Sequence, residues 1–195
     1  INLLFGIVIC FFVIGFLDDY LSIKNKNNEG LKSNQKFILQ SLISILFIAL
    51  ATQKEYINSI IMITNEWGID TKLMIYPICF ITIVGLSNAV NLTDGLDGLA
   101  TGCSSIVFFG LGTEILLKGN KELIVYSLLC FAISGLCIGF LKFNQYPAKI
   151  FMGDTGSLTI GAIIGSITIL TNSFFTTFII SGIFVIETLS VIIQV

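Results

Sequence analysis

Long apolar stretches recur from one end of the chain to the other, with shorter polar connections between them. These stretches lack the alternation of apolar and polar residues that a barrel strand would show. A bilayer offers backbone groups no hydrogen-bond partners, so such segments cross it as helices. We therefore predict an all-α fold, a polytopic transmembrane helical bundle of about seven spans, in a single integral membrane domain over residues 1–195. The predicted spans are Leu3–Leu17, Phe37–Ala51, Met74–Val90, Leu99–Leu117, Leu123–Leu141, Leu158–Leu170 and Phe174–Ile193.

The composition supports a bilayer as the solvent and narrows the chemistry that the chain can perform. Hydrophobic residues make up 55% of the chain and charged residues 11%, whereas soluble domains carry about 25% charged residues. All ten basic residues are lysines, and histidine is absent. Imidazole catalysis and guanidinium clamps are thus excluded within this stretch, which leaves carboxylates, lysines and amides. The five cysteines lie in apolar runs without a CxxC pair, which indicates packing.

The polar connections sort the charged residues between the two sides of the membrane. If the spans alternate, the first, third and fifth connections (Asp18–Lys36, Asn91–Gly98 and Lys142–Ser157) open on the same side. This side carries six of the ten lysines, so the positive-inside rule places it in the cytoplasm. Five of the six aspartates also lie there, with Asp70 on the opposite side. The six lysines are Lys24, Lys26, Lys32, Lys36, Lys142 and Lys149.

Asp18 and Asp19 are adjacent carboxylates at the predicted end of the first span. Two such groups repel each other and raise one another's pKa unless a cation lies between them. Bound Mg²⁺ or a basic group would relieve that repulsion. A solvated helix terminus is the simpler interpretation of this pair taken alone.

Two further motifs place carboxylates on the same side. Asn91, Asp94 and Asp97 follow one another at intervals of three, which would align them on one face of a helical turn. Asp154 lies between glycines just before the sixth span, where exposed amides favour an anion or a metal site. A plain Gly-Asp turn is the alternative for Asp154.

Together, the motifs bring five carboxylates, Asn91 and Asn144 to one membrane face. Clustered carboxylates indicate a hard cation, Mg²⁺ before Ca²⁺. Mg²⁺ with few protein ligands is typical of phosphoryl transfer, in which positioning and charge neutralisation supply most of the catalysis. The residue types and the predicted topology therefore indicate phosphoryl chemistry at the predicted cytoplasmic face.

Four segments resemble the polyprenyl-phosphate N-acetylhexosamine-1-phosphate transferase superfamily and, within it, the phospho-N-acetylmuramoyl-pentapeptide transferase family. They occur in order along the whole chain: Gly15–Tyr20, Asn88–Ala100, Phe143–Leu158 and Glu187–Val195. The resemblance implies a multi-pass enzyme of the bacterial inner membrane with its catalytic loops in the cytoplasm. It would transfer phospho-MurNAc-pentapeptide from UDP to undecaprenyl phosphate, with Mg²⁺ as cofactor, and would release UMP and form the first lipid-linked peptidoglycan intermediate.

The resemblance also implies roles for particular residues. Asp18, Asp19 and Asp154 match catalytic aspartates, with Asp18 as the base or nucleophile toward the lipid phosphate. Asp154 and Asn91 match metal-binding positions. The positions that match substrate-binding residues are Asn91, Leu92, Asp94, Asp97, Asn144 and Phe151, with Leu92 and Phe151 in the uracil pocket. The implied partners are UDP-MurNAc-pentapeptide, undecaprenyl phosphate, the lipid bilayer and a second copy in a homodimer; no nucleic acid is expected.

The chain departs from the family pattern in two ways. Ser22 stands where many members have a lysine, and the histidine-rich motif that members carry beyond the span ending near Val195 is missing. The chain begins with Ile1 and stops within an apolar pattern, while the family has about ten spans. We therefore expect a fragment that lacks N-terminal spans and the histidine motif.

Two other functions fit parts of the sequence. A sister enzyme that transfers N-acetylglucosamine-1-phosphate from UDP-N-acetylglucosamine would share the aspartate framework. A cation-coupled transporter would place ionisable groups near the membrane midplane, whereas only Glu114 and Glu187 lie within predicted spans. Two GxxxG pairs, Gly135 with Gly139 and Gly161 with Gly165, predict close helix packing.

Overall fold

A computed structural model describes residues 1–25, 30–63 and 67–194. Lys26, which contributes to the lysine count above, and Val195, the last residue of the fourth family segment, lie outside these ranges. Most of the described chain is helical. Its elements in order are α1 (Asn2–Asn25), α2 (Ser33–Gln53), β1 (Ile60–Met62), β2 (Gly68–Asp70), a 3-10 turn (Lys72–Met74), α3 (Ile75–Thr93), α4 (Leu99–Leu117), α5 (Ile124–Asn144), α6 (Gly153–Thr171), α7 (Phe174–Ile180) and α8 (Gly182–Gln194).

Six of the helices are long and apolar enough to cross a membrane, and α7 with α8 would make a seventh span if the pair is counted as one. This confirms the predicted all-α membrane bundle. The seventh predicted span is bent rather than straight, since α7 and α8 meet at an angle of 55°. The break falls at Ser181 and Gly182, and Gly/Ser pairs are among the recognised causes of helix kinks.

Several helix ends differ from the predicted ones. Helix α1 continues to Asn25, so Asp18 and Asp19 lie within a helix rather than in a connection. Helix α3 ends at Thr93, and Asp94 caps it. The prediction that Asn91, Asp94 and Asp97 share one helical stripe is therefore wrong, because Asp97 lies in the turn beyond the helix.

The connection between α2 and α3 contains a short hairpin that the sequence did not indicate. Strands β1 and β2 are antiparallel, with Ile60 opposite Asp70 and Met62 opposite Gly68. The side chain of Asn172, at the end of α6, donates to the Ile60 carbonyl over 2.8 Å. This contact joins the second and sixth connections at one end of the bundle, as the alternating topology predicted.

Helix α6 packs between α1 and α3 and forms the centre of the bundle. Small residues permit the close approach. A Cβ on Gly161 would lie 2.4 Å from the Leu86 carbonyl oxygen, and one on Gly165 would lie 2.9 Å from the Ile83 Cα. The packing prediction is thus confirmed for this pair. It is wrong for Gly135 and Gly139, whose Cβ positions have no neighbour within 4 Å in the described part of the chain.

Candidate active site

Three carboxylates meet at the end of the bundle where α1 and α6 touch. Asp18 and Asp19 come from the C-terminal half of α1, and Asp154 from the first turn of α6. One carboxylate oxygen of each residue lies within 4.8 Å of the other two. The approach requires Gly15, because a Cβ there would lie 2.3 Å from the Asp154 carbonyl oxygen.

Asp19 occupies the N-terminus of α6. Its carboxylate accepts hydrogen bonds from the backbone N–H of Asp154 (3.1 Å) and of Thr155 (2.9 Å), and from the Thr155 hydroxyl. Helix N-termini favour negative charge because their first amides lack partners within the helix. The predicted preference of this helix terminus for an anion is thus satisfied by a side chain of the same protein.

Asp18 is held from the opposite side by the segment that precedes α2. The Leu31 N–H donates to its Oδ1 over 2.8 Å, and Gly30 lies so close that a Cβ would be 2.5 Å from the Asp18 carbonyl oxygen. The Lys36 ammonium forms a salt bridge with the same Oδ1 at 3.2 Å. Asp18 is therefore a fixed and half-buried carboxylate.

Lys36 also forms a salt bridge with Asp154, so one ammonium group lies between carboxylates of α1 and α6. Lys36 thus supplies a cation to Asp18, whereas its neighbour Asp19 is bound by the first amides of α6. From the sequence we noted only that Ser22 replaces the lysine of many family members, and we missed Lys36. Its position at the start of the second apolar run, on the side that carries the aspartates, was the available signal.

Asn91 orients Asp154 from α3. Its amide nitrogen donates to Asp154 Oδ1 over 2.8 Å and to the Ser157 hydroxyl over 2.9 Å. The Ser157 hydroxyl in turn donates to the Gly153 carbonyl over 2.8 Å. The sequence-based reasoning gave Ser157 no role, but these bonds join α3 to the first turn of α6.

Asp94 lies at the edge of the cluster, just beyond the end of α3. Burial chiefly, and the negative charges of Asp154 and Asp19 in addition, raise the pKa of its carboxyl to about 6, although a hydrogen bond from the Gly153 backbone acts in the opposite direction. This carboxyl therefore titrates near neutral pH. A cation bound nearby would favour its ionised form.

Asp97 and Asn144 are not brought into the cluster. Asp97 accepts a hydrogen bond from the Ala148 N–H over 2.9 Å. Asn144 is fully buried, where it accepts from the Thr101 hydroxyl over 2.6 Å and donates to the Ile150 carbonyl over 3.0 Å. These bonds fix the turn after α3 and the start of α4 to the segment between α5 and α6.

Leu92 and Phe151 remain accessible on the same end of the bundle. Their side chains are 40% and 70% exposed. Apolar side chains at such positions can contact a flat ring such as a nucleobase. Among the residues predicted for the site, these two therefore offer apolar surface rather than charge.

The donor set fits a hard divalent cation. Three carboxylates offer oxygen ligands within reach of one another, which suits Mg²⁺. Lys36 is the cation that the structure places directly against them, so the cluster keeps an excess of negative charge. No other group of three metal-ligating residues occurs in the part of the chain that the structure describes.

Comparison with known proteins gives matches along the whole chain. The chain is 74% identical to the phospho-N-acetylmuramoyl-pentapeptide-transferase of Prochlorococcus marinus strain MIT 9515, over 100% of its own length and 54% of the relative's. The protein of the same name from P. marinus subsp. pastoris strain CCMP1986 is 72% identical over the same shares. The one from strain NATL2A is 47% identical over 97% of this chain and 51% of the relative.

The chain thus spans about half the length of the curated relatives it matches. The model of the family described as glycosyl transferase family 4 matches residues 1–172, which include the whole acidic cluster. That match covers most of the chain and all of the site described above. The chain therefore belongs to glycosyl transferase family 4.

Proposed function

We propose that this chain carries most of the active site of an Mg²⁺-dependent phospho-N-acetylmuramoyl-pentapeptide transferase. The complete protein would transfer phospho-MurNAc-pentapeptide from UDP to undecaprenyl phosphate, releasing UMP and forming lipid I. The observation that carries the proposal is the group Asp18, Asp19 and Asp154 with Lys36 at one end of the bundle. The names of the similar proteins support the muramoyl-pentapeptide donor over the N-acetylglucosamine donor of the sister enzyme.

Asp18, Asp19 and Asp154 are the residues that would hold Mg²⁺, with the Asn91 side-chain oxygen as a further ligand. The bound ion would neutralise charge on the diphosphate of the donor. Asn91 now donates through its nitrogen, which fixes the orientation of the Asp154 carboxylate. Asp19 is held by the α6 amides, so its carboxylate keeps its position without the ion.

In the proposed reaction, an oxygen of the lipid phosphate attacks the sugar-bearing phosphorus of the donor. A new P–O bond forms to the lipid, and the bond to the departing UMP breaks. Asp18 would remove a proton from the lipid phosphate, or would attack the same phosphorus first and pass the sugar phosphate to the lipid. Lys36 lies between Asp18 and Asp154, where its charge would attract phosphate oxygens.

The remaining predicted residues would bind the nucleotide side of the donor. Leu92 and Phe151 would contact the uracil through their exposed side chains. Asp94 and Asp97 would lie along the nucleotide. Asn144 would act through the loop that it fixes, because its amide is occupied by Thr101 and Ile150.

We also propose that the acidic end faces the cytoplasm of a bacterium and that the bundle lies in the inner membrane. The support is the lysine excess on that side and the six or seven apolar helices. A homodimer remains part of the proposal. No observation favours a cation-coupled transporter, since the aspartates of the cluster gather at one end of the bundle rather than near its middle.

The test is UMP release by the full-length protein in detergent with undecaprenyl phosphate and Mg²⁺. UDP-MurNAc-pentapeptide and UDP-N-acetylglucosamine are compared side by side, and the lipid product is followed by mass. Release with the first donor alone is the expected result. Release with the second alone would reassign the donor, and no UMP with either would contradict the proposed reaction.

A further inference from the structure

A polar pair lies inside the bundle, next to the acidic cluster. Asn88 on α3 donates through its side-chain nitrogen to Gln40 Oε1 on α2 over 2.6 Å and to the Val84 carbonyl over 2.8 Å. Gln40 has no exposed surface, although it lies in a helix that is apolar enough to span a membrane. Polar side chains in such helices are costly and commonly have a function.

The position of the pair relates it to the site. Gln40 follows Lys36 by four residues on α2, and Asn88 precedes Asn91 by three on α3. Residues at these intervals share a helix face, one turn apart. The Gln40–Asn88 hydrogen bond therefore joins the two helices that present Lys36 and Asn91 to the same carboxylate, that of Asp154.

Helix α2 is less buried than the central helix of the bundle. Among the described residues, 28% of its apolar part is buried, compared with 61% for α6, which carries Asp154. It packs mainly against α1 and α3. The Gln40–Asn88 bond is a specific polar contact between α2 and α3, one helical turn from Lys36.

Stability alone does not explain an amide at position 40. Gln40 Nε2 is buried and has no hydrogen-bond partner among the described residues, and an unpaired buried donor costs about 1–3 kcal/mol. An apolar side chain would avoid that cost, while Asn88 would keep its bond to Val84. Ser44, one turn further along α2, is likewise fully buried, and its hydroxyl has no partner in the described part of the chain. It offers a matched comparison.

We propose that Gln40 and Asn88 are positioning residues that hold Lys36 and Asn91 in register around Asp154. The proposal rests on the proposed transferase function. Loss of the pair should therefore slow the chemical step rather than weaken donor binding. The hydrogen bond positions residues at the carboxylate cluster, whereas the exposed Leu92 and Phe151 lie on the side proposed to bind the nucleotide.

The first test is Gln40→Leu in the full-length protein. We expect kcat to fall about tenfold, because small misplacements of reacting groups cost rate. The KM for the UDP donor should not change, and the melting temperature should stay the same or rise. Ser44→Ala removes a buried polar group from the same helix face and should leave kcat unchanged. The swap of Gln40→Asn with Asn88→Gln keeps the combined reach of the two side chains and should recover most of the lost rate.

A second readout does not depend on activity. The reaction of Lys36 with an amine-directed reagent, followed by peptide mass spectrometry with exposed Lys142 as internal reference, should be several times faster in Gln40→Leu than in the wild type or Ser44→Ala. If the wild type releases no UMP, the transferase proposal fails while this labelling still decides the positioning claim. Three results would overturn the positioning claim. These are unchanged labelling of Lys36 in Gln40→Leu, a melting temperature that falls in step with kcat, and a swap variant that recovers neither kcat nor the wild-type labelling rate.

Discussion

Each end of the bundle has a lysine between helices, and the two lysines differ in what surrounds them. Lys118 pairs with Glu114 at 2.8 Å and donates to the Thr171 carbonyl, the Asn172 carbonyl and the Ser173 hydroxyl at 2.8–3.1 Å. Ser173 donates to the other Glu114 oxygen over 2.7 Å. This group contains one positive and one negative charge, and it satisfies the carbonyls at the C-terminus of α6.

Lys36 has the opposite balance. It contacts Asp18 and Asp154, with Asp19 adjacent, so one positive charge faces three carboxylates. The two lysines have similar exposure, 18% for Lys36 and 21% for Lys118. The difference therefore lies in charge balance rather than in burial. A balanced group stabilises a helix junction, whereas an excess of carboxylates leaves negative charge that a bound cation can neutralise.

The largest expected effect is a loss of turnover on mutation at the acidic end of the bundle and not at the Lys118 end. Asp154→Asn should lower Mg²⁺-dependent UMP release about a thousandfold and leave the helix content intact, because it removes a charged metal ligand. Glu114→Gln, at the opposite end, should leave turnover per folded molecule nearly unchanged. Wild-type turnover in Asp154→Asn would remove Asp154 from the site.

Lys36→Met should lower kcat about a hundredfold, because the phosphate oxygens lose a fixed positive charge. The control is Lys142→Met, which removes an exposed lysine from the same end. Turnover of the detergent-solubilised protein at saturating donor measures both variants. An equal loss in the two would mean that general charge, and not the place of Lys36, matters.

Lys118→Met should act on stability instead. It leaves Glu114 and the α6 carbonyls without their cation, at a cost of about 2 kcal/mol. The melting temperature should fall in detergent, while turnover of the folded fraction stays close to that of the wild type. A large loss of turnover without a change in melting temperature would contradict the assignment of this end to structure.

Asp94 gives the smallest effect, which depends on pH. The pKa of its folded-state carboxyl, about 6, lies above the ordinary value of 3.8, so its ionisation costs stability as the pH rises through this interval. Asp94→Asn removes that cost and should raise stability at pH 7.5 by about 1 kcal/mol after allowance for partial exposure. The gain should shrink as the pH falls from 6 toward 4. Asp70→Asn, an exposed change at the other end, should show no such gain.

The sequence predicted the parts of the fold that depend on local pattern. The apolar runs located the helices, and the alternation of spans predicted that Asp18, Asp19 and Asp154 lie at the same end of the bundle, where the structure brings them together. Asn91 and Asp94 also lie at the cluster. These results depend on hydrophobic periodicity and on which side each connection opens, and both can be read without tertiary structure.

The features that the sequence did not predict depend on tertiary packing. Lys36 has the pattern of any lysine at a membrane boundary, and only the approach of α2 to α1 and α6 makes it a partner of two aspartates. The break at Ser181 lies in an apolar run without proline. Gly135 and Gly161 begin identical GxxxG spacings, yet only the second meets a neighbouring helix among the described residues.

Binding of Mn²⁺ as a paramagnetic substitute for Mg²⁺ tests the central claim most directly. The full-length wild type and the Asp154→Asn and Glu114→Gln variants are titrated in detergent and followed by electron paramagnetic resonance. The account predicts a bound-ion signal in the wild type and in Glu114→Gln, and its loss in Asp154→Asn. Equal binding by all three proteins would contradict the assignment of the cation site to Asp18, Asp19 and Asp154.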